Sequence, residues 1–330
     1  LGMKCFGATP EVLAAAFDEL RKLGMRSACH LAQTDVARVN ALTATRMGLT
    51  TLEHWYGLPE SLLAGHSLQD FPADYNFYDE SKRFGEAGRL WAQAAEKGSP
   101  RYEAVIKEML AHDLTLDPTF GIYSAGRDLM HARRADWHEQ YTLPSLWDFF
   151  APDRNRHGSF FYDWGTEQEV AWRDNYRRWM AFVNDFKNRG GRVTVGSDSG
   201  FIYQLYGFGT IQEMEMLREA GFTPLEVIRS ATMYGAQALG RQQDLGTIEA
   251  GKLADFVVVP ENPLANLKLL YGTGHLRLGD DGVVRRVGGV RLTIKDGIVY
   301  DAAQLRAQVR EMVAAEKKRL GIDHLAQPGE

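Results

Sequence analysis

The sequence predicts a parallel (β/α) barrel with its chemistry at the strand ends, followed by a small β-module. Three observations point there. The first is a repeated β-turn-α unit of roughly 25 residues between Lys4 and His54, the rhythm of a parallel sheet. The second is the stretch Gly191-Arg192-Val193-Thr194-Val195-Gly196-Ser197-Asp198-Ser199-Gly200, an apolar β-branched run bounded by glycines. It ends in an aspartate inside a Ser/Gly turn, and a carboxylate at a strand's C-terminal end stands where barrels keep their active sites. An Asx turn opening a loop is the plainer reading of Asp198 taken alone. The third is a change of character from Gly246 onward, where short β-rich runs alternate with Gly and Asp-Gly turns.

At 330 residues, 45% hydrophobic and 25% charged, the chain can bury a large core, and barrels of this size run as one domain. A net charge of −5 without Lys/Arg blocks speaks against a nucleic-acid partner. No apolar run approaches the roughly 20 residues of a transmembrane helix. The two cysteines, Cys5 and Cys29, are too few for a disulfide framework and lack CxxC spacing. They read as small buried hydrophobes, reduced and turned toward the helices. The chain opens at Leu1 inside what reads as a strand, so it is expected to be a piece of a longer protein with any leader lost upstream.

Each element follows from local signals. A strand ends near Lys4 to Phe6; Thr9-Pro10 then caps a helix whose Val12, Leu13, Ala16, Phe17, Leu20 and Leu23 recur at helical spacing up to Gly24. A strand over Met25 to His30 precedes a helix from Thr34 to Met47, stopped by Gly48, and the third strand runs from Leu49 to His54. Residues 56–113 and 121–165 are longer than crossovers need and rich in aromatic and polar side chains, as lids or pocket walls are, or as packing decoration is. Between them Leu114 to Phe120 reads as a strand broken by Pro118. Thr166 to Glu169 is a capping box for a helix with Val170, Tyr176, Trp179, Met180, Val183 and Phe186 in the core. Thr210 with Glu213, and Thr223-Pro224 with Glu226, open two more helices, the second reaching Gly240. Residues 1–245 thus form the barrel part, 246–301 a β-sandwich module, and 302–330 an amphipathic helix and tail.

Lys4, His30, His54 and Asp198 fall at or near the ends of successive strands, and strand ends at one barrel face converge. A lone strand-end histidine is usually a packing residue, but two on consecutive strands with an aspartate to follow are the usual ligands of a catalytic zinc. A lysine ammonium has no lone pair and is ordinarily no ligand.

This pattern resembles the amidohydrolase superfamily. The match extends through Ala220-Gly221-Phe222-Thr223-Pro224-Leu225-Glu226, Ala231-Thr232 and Gly246-Thr247-Ile248-Glu249-Ala250-Gly251-Lys252-Leu253-Ala254-Asp255, a run similar to imidazolonepropionases and metal-dependent prolidases. The resemblance implies a (β/α)8 TIM barrel of which strands four to eight are present. It implies a carbamylated Lys4 bridging two divalent metals, zinc being the expected ion, with His30, His54 and Asp198 as further ligands. No His-x-His pair occurs, so the second half of the metal site is expected upstream, and the piece alone is expected to be inactive. Where relatives place a His-Gly after the aspartate, this chain has Tyr206-Gly207; Tyr203 and Tyr206 are the candidate substrate-binding side chains.

The chemistry implied is hydrolysis of a C–N bond in a small amide. A divalent metal brings the pKa of bound water from about 15.7 toward about 7, with Asp198 as general base and then acid and Glu53 as a supporting group. Two rivals stand beside it, a deaminase with one metal and a non-catalytic scaffold homologue. No nucleic-acid or membrane partner is expected, and a homo-oligomer is compatible with the sequence.

Overall fold

The computed structural model describes residues 2–158 and 160–325. Five parallel strands form one sheet in the order β1-β2-β3-β4-β5: β1 Gly2–Phe6, β2 Arg26–His30, β3 Thr51–Glu53, β4 Thr115–Asp117 and β5 Arg192–Val193. Every strand pairs with its sequence neighbour, the one-directional winding of a barrel rather than the reversing order of a doubly wound sheet. Among the described residues the sheet is open, with β1 and β5 as its outer strands. The chain thus shows an α/β parallel sheet, and the closed eight-stranded barrel is not seen in it.

The crossovers carry helices. Between β1 and β2 lies α1 (Pro10–Lys22), which buries Leu13, Phe17 and Leu20. Between β2 and β3 lies α2 (Ala41–Met47), shorter than the helix expected from Thr34. Asn40 is the reason: its side chain accepts from the Thr43 N–H at 3.0 Å and starts the helix there. The β3–β4 segment holds α3 (Glu80–Ala87) and the crossover helix α4 (Pro100–Ala111). The β4–β5 segment holds α5 (Ser124–Arg127), α6 (Leu129–Arg133), α7 (His138–Tyr141), α8 (Pro144–Phe150) and the long α9 (Thr166–Asn188). Gly165, not Thr166, caps α9, and the Gln168 side chain accepts from the Gly165 N–H at 3.0 Å. Val170 is 54% exposed, whereas Trp172, Tyr176, Trp179, Val183 and Phe186 are buried.

Registers fix which side chains share a face. Lys4 pairs with Ala28, Phe6 with His30 and Glu53 with Asp117. Since side chains alternate, Lys4, Phe6, His30, Glu53 and Asp117 occupy one face, and Cys5, Cys29, Leu52, Leu116 and Val193 the other. The second set joins the core beneath α1, α4 and α9. Cys5 and Cys29 are register partners with free thiols on that helix side.

After β5 come α10 (Gly209–Glu219), α11 (Pro224–Arg229) and α12 (Gly235–Ala238). The expected capping box of Thr223 and Glu226 is present in both directions. The β-module holds two small sheets. One is antiparallel and three-stranded, from β6 (Phe256–Val258), β9 (Leu292–Lys295) and β10 (Ile298–Asp301); the other pairs β7 (His275–Leu278) with β8 (Val284–Val287). Local alternation marks strands but does not say which sheet faces they meet. Helix α13 (Ala302–Leu320) starts at the Asp301 cap and packs on α7, where Lys317 bonds to Glu139.

Candidate active site

The site is built where β2, β3, β4 and β5 end. His54, Thr119 and Asp198 each follow a strand, and all three hold positive φ, at 62°, 49° and 47°. Such backbone is unfavourable for side chains with a Cβ, by on the order of 1–3 kcal/mol each, and persists where surrounding packing imposes it. The His54 N–H donates to the Asp117 carbonyl at 2.8 Å, which locks the turn at the end of β3 onto β4.

Of the four predicted residues, His30, His54 and Asp198 come together. The His30 and His54 rings meet edge-on at 4.7 Å between centroids. His54 Nε2 stands 3.8 Å from Asp198 Oδ2. Lys4 lies one strand further, over the Phe6 ring, and its ammonium bonds Glu53 Oε2 at 2.7 Å. Ala28, between Lys4 and Thr51 in the register, leaves the space for that reach.

Electrostatics follow from burial. His54 is 3% exposed, and desolvation, then the charges of His30 and Lys4, hold its pKa well below the ordinary histidine value. Desolvation, with Lys4 and His157 nearby, lowers His30 to about 4. Both rings are therefore neutral at neutral pH. Burial raises the Asp198 carboxyl, and Lys4 opposes that rise.

Several groups that the sequence did not single out complete the arrangement. Thr119 Oγ1 pairs with His54 Nδ1, so the other ring nitrogen is the one turned to Asp198. Asp117 is fully buried, and desolvation and the neighbouring Glu53 raise it to about 7. Gly196 is required beside it, because a Cβ there would fall 2.5 Å from Asp117 Oδ2. The Tyr123 hydroxyl donates to the Tyr56 hydroxyl at 2.8 Å, and the Tyr56 ring lies 4.5 Å from that of His30. Glu213 was read as a helix-start residue; it is buried on α10 and accepts from the Gly121 N–H at 2.7 Å, bracing the turn that carries Thr119. The only local signal for that turn was the Asp117-Pro118 break.

Tyr203 is a correction. It is 2% exposed and packed among Trp147, Phe150 and Phe161, so its ring serves the core of the 121–165 segment rather than a substrate. Tyr206 is 69% exposed, with its hydroxyl over Gly200.

The donor set can be tested against a metal. Two ligands bonded at about 2.0–2.1 Å to one tetrahedral ion stand near 3.4 Å apart, so the 3.8 Å gap between His54 Nε2 and Asp198 Oδ2 admits a cation with little movement. The neutral ring, with its Nδ1 held by Thr119, has the lone pair such an ion needs. Among the described residues no group of three or more His, Cys, Asp or Glu side chains is already closed around one point. The fit therefore rests on the His54–Asp198 pair with His30 beside it. Lys4 Nζ is engaged by Glu53 Oε2 at 2.7 Å.

Comparison with known proteins gives a family match over part of the chain and several relatives. Residues 176–319 match the model of the amidohydrolase family. An imidazolonepropionase of Geobacillus kaustophilus is 32% identical over 80 residues, 24% of this chain and 17% of that protein. A 5'-deoxyadenosine deaminase of Methanobrevibacter smithii is 24% identical over 143 residues, 38% of this chain and 32% of that protein. The solved structure of a bottromycin amidohydrolase superimposes with a TM-score of 0.59 at 17% identity, covering 98% of this chain and 59% of its own. The chain therefore spans little more than half the length of that solved relative, and less of the curated ones. The family match thus covers residues 176–319, the part of the chain from α9 through most of α13.

Proposed function

We propose that the protein to which this chain belongs is a metal-dependent hydrolase of C–N bonds in small amides. The observation that carries the reading is His54 Nε2 turned to Asp198 Oδ2 across 3.8 Å, its Nδ1 held by Thr119, in a chain whose residues 176–319 match the amidohydrolase family. His54, Asp198 and His30 would hold the ion, zinc by the chemistry of the set, and a bound ion would acidify water and polarise the substrate carbonyl. Strands beyond the five seen would close the barrel, and a second ion would need ligands that this chain does not contain.

The chain's own residues do the rest. His30 and His54 stay neutral because burial disfavours their charged forms. Asp198, more than half exposed, reaches the incoming water. It takes a proton as the water oxygen bonds to the carbonyl carbon, then passes that proton to the nitrogen as the C–N bond breaks. Lys4, paired with Glu53, keeps positive charge near the developing anion. The buried Tyr56–Tyr123 pair walls the site against bulk water.

The second reading, a deaminase, is favoured by one observation: the 5'-deoxyadenosine deaminase that matches 143 residues of this chain at 24% identity. Both readings are tested by one screen of N-acyl amino acids, dipeptides and aminopurine nucleosides on the full-length protein with zinc. Amide cleavage that Asp198→Asn lowers by about a hundredfold or more supports the first. Ammonia release from nucleosides alone supports the second, and an Asp198→Asn rate equal to wild type sinks both.

A further inference from the structure

The two long segments between strands build a charged cluster beside the site. Glu80, the first residue of α3, accepts from Arg83 at 3.2 Å, pairs with His157 Nδ1 at 2.6 Å and takes the Gly158 N–H on its other oxygen at 3.1 Å. Arg83 is tied down at all three nitrogens, since it also donates to Gln33 Oε1 at 3.0 Å and to the Phe77 carbonyl at 2.9 Å. With His157 protonated, two cations face one anion, leaving a net charge of +1.

His157 is the member still able to act on a ligand. Its Nδ1 is held, its Nε2 has no partner among the described residues, and its side chain is 76% exposed. Its position is fixed from the far side too. The ring meets Phe201 edge-on at 5.5 Å, three residues beyond Asp198. Gly158 must be glycine for this contact, since it holds φ +87° and a Cβ would fall 2.3 Å from the Phe201 ring. The cluster reaches the reacting groups through packed rings: Arg83 lies over the Phe84 ring, which stands 6.4 Å from that of Tyr123, whose hydroxyl bonds Tyr56 beside His30. The bond to Glu80 raises the His157 pKa and so favours its charged form.

We propose that His157 sets the specificity of the site, its Nε2–H binding a carboxylate on the substrate away from the bond that reacts. The class of ligand is then an N-acyl amino acid or short peptide with a free carboxylate. A single exposed donor with one net positive charge suits a monoanion, and a charge-assisted hydrogen bond is roughly twice as strong as a neutral one. The proposal rests on the C–N hydrolase reading for the substrate class, but binding tests it separately.

The experiment is calorimetric titration of the zinc-loaded full-length protein at pH 6.5 with N-acetyl-leucine, N-acetyl-leucinamide and inorganic phosphate. The wild type should bind the acid about tenfold or more tightly than the amide, equivalent to about 1.4 kcal/mol. In His157→Gln that ratio should fall to near one with an unchanged melting temperature, because the side chain is exposed. The proposal is overturned if the wild type shows no acid preference, failure to bind either ligand included. Survival of the preference in His157→Gln, or tighter binding of phosphate, overturns it equally. If the preference behaves as expected but no C–N bond is ever cleaved, the proposal stands and the hydrolase reading falls.

Discussion

Replacing Glu213 by glutamine should change how stability depends on pH. The carboxyl is fully buried on α10 and bonded to the N–H of Gly121, and burial raises its pKa from the ordinary 4.5 to about 8. The folded protein thus keeps a proton that the unfolded chain releases above about 4.5. The stabilisation is whole in acid and is lost as pH rises through that window toward 8. The slope reaches about 1.4 kcal/mol per pH unit, so between pH 5 and pH 8 the wild type should lose on the order of 4 kcal/mol from this group. Glutamine keeps the acceptor for Gly121 and has no proton to lose. Urea unfolding of wild type and Glu213→Gln at both pH values isolates the term, because other buried acids such as Asp117 and Glu60 are common to both. The variant should gain about 4 kcal/mol on the wild type across the range. Parallel curves would show that Glu213 is ionised in the fold and refute the burial argument.

Two further outcomes test the strand-end geometry. Thr119→Val removes the hydroxyl that pairs with His54 Nδ1, leaving a buried ring nitrogen unpartnered; metal-free stability should drop by about 1–3 kcal/mol and zinc affinity by about 10–100-fold, read by thermal melting and chelator competition. Gly196→Ala puts a methyl 2.5 Å from the Asp117 carboxylate; a loss of about 1–3 kcal/mol in urea is expected, and an unaffected midpoint would mean that Asp117 is free to move aside.

The parts of this molecule that were legible in the sequence are those set by short-range patterns. Alternation and turn residues located all five parallel strands, and their ends placed Lys4, His30, His54 and Asp198 before any contact was known. The Thr223–Glu226 box was likewise readable because its partners lie three residues apart. What was missed is long-range. Glu213 bonds a backbone N–H 92 residues away, so near Thr210 it looked like an ordinary helix-start acid. Thr119 meets His54 across 65 residues, and its turn showed only as a proline after Asp117. Tyr203 was assigned to the substrate from its place in the loop after Asp198, whereas the 121–165 segment folds back and buries it. The β-module shows the same limit, since its strands were evident but their division into two small sheets depends on pairing.

The most direct test of the central claim is anomalous diffraction at the zinc edge from crystals of the full-length protein grown with zinc. The account predicts a peak between His54 Nε2 and Asp198 Oδ2, about 2.0–2.2 Å from each, with His30 completing the set. A zinc peak elsewhere, with His54 and Asp198 still in direct contact across their 3.8 Å gap, would contradict it.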